Sequence, residues 1–220
     1  MSYNVLITAG PTREYIDPIR YISNRSSGKM GLCLTEAFAK KGAEVRLITG
    51  PICEKPSSQG GDRPRKAGLS PNVTISKVET AEQMHQAVLK HFAWADIIIM
   101  AAAVADYRPV EVSKQKIKKN NQNLELKLEK TPDILAELGK KKREGQILVG
   151  FALETENLLE NARKKLLEKN LDLIIANDEK SPGADSATFI IVEKDKEELT
   201  GRITKENLSQ LLVTRLMPKS

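Results

Sequence analysis

Residues 23–31 read SNRSSGKMG, and Gly28-Lys29 is the pair that closes a phosphate-binding P-loop. The rest of that motif is missing. A P-loop needs Ser or Thr after the lysine to reach a metal ion, and a glycine five residues before the Gly-Lys pair; those places hold Met30 and Ser23. The chemistry open to this turn is simpler. A helix beginning near Gly28 presents unpaired backbone amides and the positive end of its dipole, among small residues that let an anion come close. Phosphate or carboxylate is the expected ligand.

Lysines give a second sign. Lys114, Lys116, Lys118 and Lys119 lie in SKQKIKKNNQN, readable as a solvated loop or as a mobile flap that lowers cations over a polyphosphate and excludes water. On a helical wheel with Leu158 at zero, Lys165 and Lys169 fall about 20° to either side of it, beside Ala162 and Leu166 on the apolar stripe. A lysine rarely takes such a rim without an anion or a route to solvent. No enzyme nucleophile presents itself, since there is no Gly-x-Ser-x-Gly elbow and no base near either Cys33 or Cys53. A reaction in which one substrate attacks another needs none, because positioning and charge stabilisation carry it. His85 and His91 sit six apart and do not share a helix face, so no metal site is expected there.

These residues must be held by a fold. Hydrophobic residues are 40% and charged residues 29% of 220, the balance of a globular protein, and one domain is expected over 1–220. The net charge of +6 suits polyanionic ligands or plain solvation. Aromatics at 4% argue against the stacking platforms of single-strand binders, so no nucleic-acid partner is expected. No apolar run approaches a membrane span, and MSYNVLITAG lacks the basic region and cleavage site of a secretory signal. A cytoplasmic protein with two reduced, structural cysteines is expected.

NVLITAG reads as a buried strand ending in a glycine turn, and GKMGLCLTEAFAKKG as a helix that Ser26 or Ser27 can cap and Gly42 can end. AEVRLITGP and NVTISKVE read as strands, and Thr80 with Gln83 as a capping box opening the next helix. The run Ile97 to Met100 is continuously apolar, as in a parallel strand covered on both faces. NLELKLEK, ILVGFAL and LDLIIAND read as further strands, alternating with helices over PDILAELGKKK and LLENARKKLLEKN. ATFIIVEK and EELTGR suggest a hairpin-like edge, and ENLSQLLVTRLM a closing helix. The fold class expected is α/β: a doubly wound, mostly parallel, Rossmann-like sheet with a small antiparallel extension, taking its ligands at the carboxyl ends of the strands. Residues 54–71, rich in Gly, Pro, Ser and Arg, are expected to form a long flexible loop, and 110–122 the flap.

Six ordered segments then resemble the phosphopantothenoylcysteine synthetase family, the phosphopantothenate–cysteine ligases of bacterial CTP-dependent type: ITAGPTREYIDPIRYISNRSSGKMG, AAAVADYRP, KIKK, TPDIL, GFALET and LDLIIAND. The resemblance runs from Asn4 to about Arg215. It implies a ligase of coenzyme A biosynthesis in which CTP and Mg2+ activate the carboxylate of 4'-phosphopantothenate as an acyl-cytidylate, which the amine of L-cysteine then opens, releasing CMP.

By the same resemblance Asn24 is the asparagine whose amide contacts the intermediate, Arg20 an arginine near the phosphopantothenate, and Lys116 the flap lysine. The nucleotide is expected at Met100, Ala101, Ala102, Asp106, Lys116, Pro132, Asp133, Ile134, Leu135, Phe151, Lys165 and Lys169. Ala102 and Ala103 stand where a larger side chain would crowd the intermediate, and no protein metal ligand is implied. A homodimer is implied as well. Two departures stand out: Arg25 occupies a place where relatives often have histidine, and the 54–71 loop is long for the family. Many relatives carry an amino-terminal flavin-dependent decarboxylase domain; these residues hold the synthetase part, as a free-standing enzyme or half of a bifunctional chain. A nicotinamide-dependent reductase is disfavoured, because Gly10 is followed by PTREY rather than the rest of Gly-x-Gly-x-x-Gly, and no tyrosine has lysine four residues on.

Overall fold

The structure is a computed structural model that describes residues 2–52, 70–119, 123–154, 156–178 and 185–218. Cys53 and residues 54–69 of the expected loop lie outside the described residues, as do 120–122 of the expected flap.

In chain order the elements are β1 (Asn4–Ala9), β2 (Arg13–Tyr15), β3 (Tyr21–Ser23), α1 (Lys29–Lys40), β4 (Glu44–Thr49), β5 (Val73–Lys77), α2 (Ala81–Phe92), β6 (Ile97–Met100), β7 (Tyr107–Pro109), β8 (Leu128–Lys130), α3 (Ile134–Lys141), β9 (Ile147–Glu154), α4 (Leu158–Glu168), β10 (Leu173–Asp178), β11 (Ser186–Val192), β12 (Glu197–Thr204) and α5 (Lys205–Leu216). The main sheet has the order β5-β4-β1-β6-β9-β10-β11-β12. From β5 to β10 every neighbouring pair is parallel, and β11 and β12 close the edge antiparallel. The chain builds outward from β1 through β4 to β5, then returns to start again at β6 on the other side of β1. The segments leaving β1 and β6 therefore diverge, and that divergence opens a crevice at the carboxyl edge.

Alternation along each strand divides the core in two. Val5, Ile7, Leu47 and Ile99 face α1 and α5, which pack on one face of the sheet. Leu6, Ile48, Ile98 and Leu148 face α2, α3 and α4 on the other. Ala162 and Leu166 are buried there, as the apolar stripe requires. The Thr80–Gln83 capping box forms as expected at the start of α2.

Two local expectations change. Neither serine caps α1. Gly28 is the N-cap, held at φ 73°, and no side chain caps the helix. The hydroxyls of Ser26 and Ser27 instead accept from the amides of Gly28 and Lys29, at 3.3 and 3.4 Å. A cap must reach the second or third helical amide, and the left-handed turn at Gly28 puts the serines one step too early. Of NLELKLEK, only Leu128–Lys130 is a strand, and it pairs with Tyr107–Pro109 outside the main sheet. Residues 123–130 are exposed on both sides, so they have no apolar face to bury.

Gly31 sets how closely α1 approaches the sheet. A Cβ there would lie 2.4 Å from the Ala9 Cβ and 3.0 Å from the Thr8 carbonyl oxygen. Gly31→Ala should therefore lift α1 and cost about 1–3 kcal/mol, with each kcal/mol worth roughly 2–4 °C of Tm in a chain this size. A thermal melt indistinguishable from the parent would contradict this packing.

Candidate active site

The floor of the crevice is made of small residues stitched between β1 and β6. Pro11 bridges Ala103, whose amide donates to the Gly10 carbonyl at 2.9 Å. The hydroxyls of Thr8 and Thr12, both buried, accept from the amides of Ala102 and Ala105 at 3.1 and 3.0 Å. The backbone is thereby fixed while the alanine side chains leave the space above it open. The resulting cavity is about 1540 Å³.

One wall runs from Ser23, the last residue of β3, to Met30 in the first turn of α1. Asn24 is exposed there, and its Nδ2 donates to the Val104 carbonyl at 2.9 Å, joining this wall to the floor. The opposite wall is the start of α3 with two lysines from α4 and its C-cap. Asp133 caps α3 by accepting from the Ala136 amide at 3.0 Å, and it receives the Lys169 ammonium at 2.9 Å. Lys165 lies 3.6 Å from Glu154. Each lysine thus has a carboxylate as its anion, a partner that helical spacing could not supply.

Burial opposes ionisation of Asp133, but the Lys169 hydrogen bond, the Ala136 amide and the charges of Lys169 and Lys165 hold its pKa below the usual carboxylate value. Because the folded pKa is lowered, the stabilisation is complete above the unfolded value, near pH ~4, and disappears as the pH falls through the folded one. Asp133→Asn should flatten the acid limb of a Tm-against-pH curve; a limb as steep as the parent's would assign that loss to other carboxylates.

Asn24, Met100, Ala101, Ala102, Ala103, Asp106, Pro132, Asp133, Ile134, Leu135, Phe151, Lys165 and Lys169 all line this one cavity. Arg20 and Lys116 do not. Arg20 forms an ion pair with Asp17 at 3.0 Å, and its guanidinium donates to the Ile117 carbonyl. The buried Asp17 carboxylate accepts from the amides of Ile19 and Arg20, each at 2.8 Å, and of Ile117 at 3.1 Å. Burial works against its ionisation, yet these amides and Arg20 together keep its pKa low. The IDPIR turn is therefore tied to the base of the 110–119 segment, with Lys116 exposed beside the tie.

Other residues line the cavity that no residue-by-residue expectation named, although Asn177 lies in the LDLIIAND segment. Lys130, Asn177, Phe189 and Lys205 line it as well. Lys29, the first residue of α1, is paired with Asp185 at 2.7 Å and Glu206 at 3.3 Å. Glu206 also accepts from the Cys33 thiol at 3.6 Å, and burial first, then Glu206, pushes that thiol up to about 11. The histidines part company: His85 meets Glu137 at 2.6 Å and His91 meets Arg46 at 2.8 Å. Among the described residues no group of three or more His, Cys, Asp or Glu is placed to hold a metal, and no helix is long and apolar enough to cross a membrane.

Residues 1–218 match the family described as the DNA/pantothenate metabolism flavoprotein C-terminal domain. The chain is 50% identical over 181 residues to the coenzyme A biosynthesis bifunctional protein CoaBC of Bacillus subtilis strain 168, covering 82% of this chain and 41% of that protein. It is 47% identical over 180 residues to a cysteine/cysteine sulfinic acid decarboxylase from an unknown prokaryotic organism, covering 82% of this chain and 47% of that one. It therefore spans less than half the length of these two relatives. Among solved structures, the C-terminal domain of a CoaBC bifunctional protein is similar at 38% identity and TM-score 0.78, covering 97% of this chain and 93% of that one. A Cab2 H337A mutant in complex with phosphopantothenate-cysteine shares the fold at 18% identity and TM-score 0.80, covering 98% of this chain and 85% of that one. With a cavity at the sheet's switch point and a family match over nearly every residue, the chain belongs to the DNA/pantothenate metabolism flavoprotein C-terminal domain family.

Proposed function

We propose that the chain is a phosphopantothenate–cysteine ligase, acting as one ligase domain, that uses CTP to join 4'-phosphopantothenate to L-cysteine through an acyl-cytidylate. The observation that carries this reading is the single cavity in which Asn24 and Asp106 meet Lys165, Lys169 and the uncapped start of α1. Every proposed reactant except cysteine is a polyanion, and lysines from two sides face that space. The likeness to the CoaBC C-terminal domain over nearly its whole length supports the reaction class. The relative in complex with phosphopantothenate-cysteine supports the reactants.

In this reading the substrate carboxylate attacks the α-phosphorus of CTP, pyrophosphate leaves, and the cysteine amine displaces CMP from the acyl carbon. The chain supplies no nucleophile. Its residues hold two reactants in line and steady the charge that develops on phosphorus. Lys165 and Lys169 exchange their carboxylate partners for phosphate oxygens. The Asn24 amide, which now donates to Val104, turns to the intermediate. Of the two carboxylates on the cavity wall, Asp133 is held by Lys169, while Asp106 has no cation partner among the described residues. That donor set fits a magnesium ion that arrives on the triphosphate and keeps most of its own water. When bound, magnesium supplies neutralising charge to the phosphates.

A homodimer in the cytoplasm completes the proposal. Exposed apolar side chains on and near the two small sheets, among them Ile19, Tyr21, Val110 and Val112, support pairing of two copies. The test is to incubate the chain with 4'-phosphopantothenate, magnesium and either CTP or ATP, and to measure pyrophosphate before and after adding cysteine. CTP-dependent pyrophosphate release followed by cysteine-dependent CMP is expected. Release of neither product with either nucleotide would overturn the reading.

A further inference from the structure

Lys205 is the first residue of α5, directly behind the Thr204 N-cap. It lines the cavity although only 7% of the residue is exposed. Its ammonium makes no hydrogen bond and no ion pair among the described residues. No fully buried side-chain nitrogen or oxygen among them lacks a partner, so this ammonium reaches open space, and the space it lines is the cavity.

Three effects make that placement unfavourable. Burial removes hydration from the charge. The positive end of its own helix repels it. Lys29, a like charge, presses the same way. Asp185 and Glu206 pull in the opposite direction, but both are in contact with Lys29. Burial first, and then Lys29, hold the Lys205 pKa below the ordinary lysine value. An anion in the cavity beside Lys205 compensates the lost hydration and offsets both repulsions, and a charge-assisted hydrogen bond is strongest where water is scarce.

The two faces of the sheet say which anion. Lys165 and Lys169 stand on the side of α3 and α4, to which the ligase reading assigns the nucleotide, whereas Lys205 and Lys29 stand on the side of α1 and α5. We propose that Lys205 binds the phosphate monoester of the acyl substrate, as the cation at the α1 and α5 end of the cavity. This rests on the ligase reading above.

The test uses the full chain with Lys205→Met and Lys205→Gln. Methionine replaces a largely buried charge, unpaired among the described residues, with an apolar chain of similar length, so Lys205→Met should melt no lower than the parent. Its KM for 4'-phosphopantothenate should rise about tenfold or more, the scale of one lost hydrogen bond to a charged group, while its KM for CTP stays within about twofold. By calorimetry the parent should bind 4'-phosphopantothenate more tightly than pantothenate, and both variants should lose that difference. The proposal is overturned if discrimination between the two is absent in the parent or unchanged in the variants. It is equally overturned if the loss falls on CTP alone, or if both variants melt well below the parent, which would make the ammonium structural. A parent that binds 4'-phosphopantothenate but releases no pyrophosphate would sink the ligase reading and leave the Lys205 comparison intact.

Discussion

Asn24→Asp will let the chain release pyrophosphate at close to the parental rate while slowing the cysteine-dependent release of CMP by about 10²- to 10³-fold, the scale of one removed oxyanion donor. Asn24 makes one side-chain hydrogen bond among the described residues. Its Nδ2 donates to the Val104 carbonyl at 2.9 Å, at the lip of the cavity. A carboxylate in that place is acceptor-only and would face a carbonyl oxygen, so it turns away from the floor. Near an acyl-cytidylate it adds negative charge where the second step already gathers it. Under the proposed function the first step depends more on the lysines across the cavity, Lys165 and Lys169, and these are untouched. Asn24 is exposed and in a turn, so the fold should tolerate the change within about 0.5 kcal/mol. Single-turnover measurement of pyrophosphate and CMP separates the steps. Equal slowing of both, or of neither, would remove Asn24 from its assigned role.

The second large effect is expected at Lys116. Lys116→Gln should lower kcat/KM for CTP by about 100-fold, again the scale of one charged donor lost from the transition state. Its Tm should stay within a degree or two, because an exposed surface substitution shifts stability by about 0.5 kcal/mol at most. Lys116 does not line the cavity of this single chain, which makes the prediction sharper than the resemblance alone. The segment carrying it is tied at its base: the Ile117 amide donates to Asp17, its carbonyl accepts from Arg20, and the Ser113 amide donates to the Ile16 carbonyl at 3.0 Å. Under the proposed function, the charge of Lys116 reaches the nucleotide only by movement of the segment about this tie. Steady-state turnover of parent and variant with CTP varied checks this. Parental kcat/KM in the variant would show that the lysine never arrives.

The strands, their alternation with helices and the parallel sheet were legible in the chain because short, β-branched apolar runs such as Ile97–Met100, set between longer segments of helical period, are the pattern of strands buried on both faces. The cap at Thr80 was legible because it depends on residues three apart. The serine cap of α1 was misread for the opposite reason. Whether Ser27 or Gly28 ends the turn depends on a left-handed backbone at Gly28, which is held against Ile52 and Gly10 by packing. Likewise NLELKLEK has strand-like alternation, but no second surface arrives to bury its apolar side.

At the site, residue types alone raise the expectation of anionic ligands: lysines on a helix rim and an unblocked helix start carry that information locally. Only the tertiary structure decided which of those charges share a space. It joined Lys165 and Lys169 to carboxylates, drew Arg20 away to Asp17 and Ile117, and brought the unannounced Lys205 into the cavity wall. Those outcomes depend on how α4, α5 and the IDPIR turn are set against one sheet. Charge acts through space over a few ångströms, whereas sequence records only neighbours along the chain.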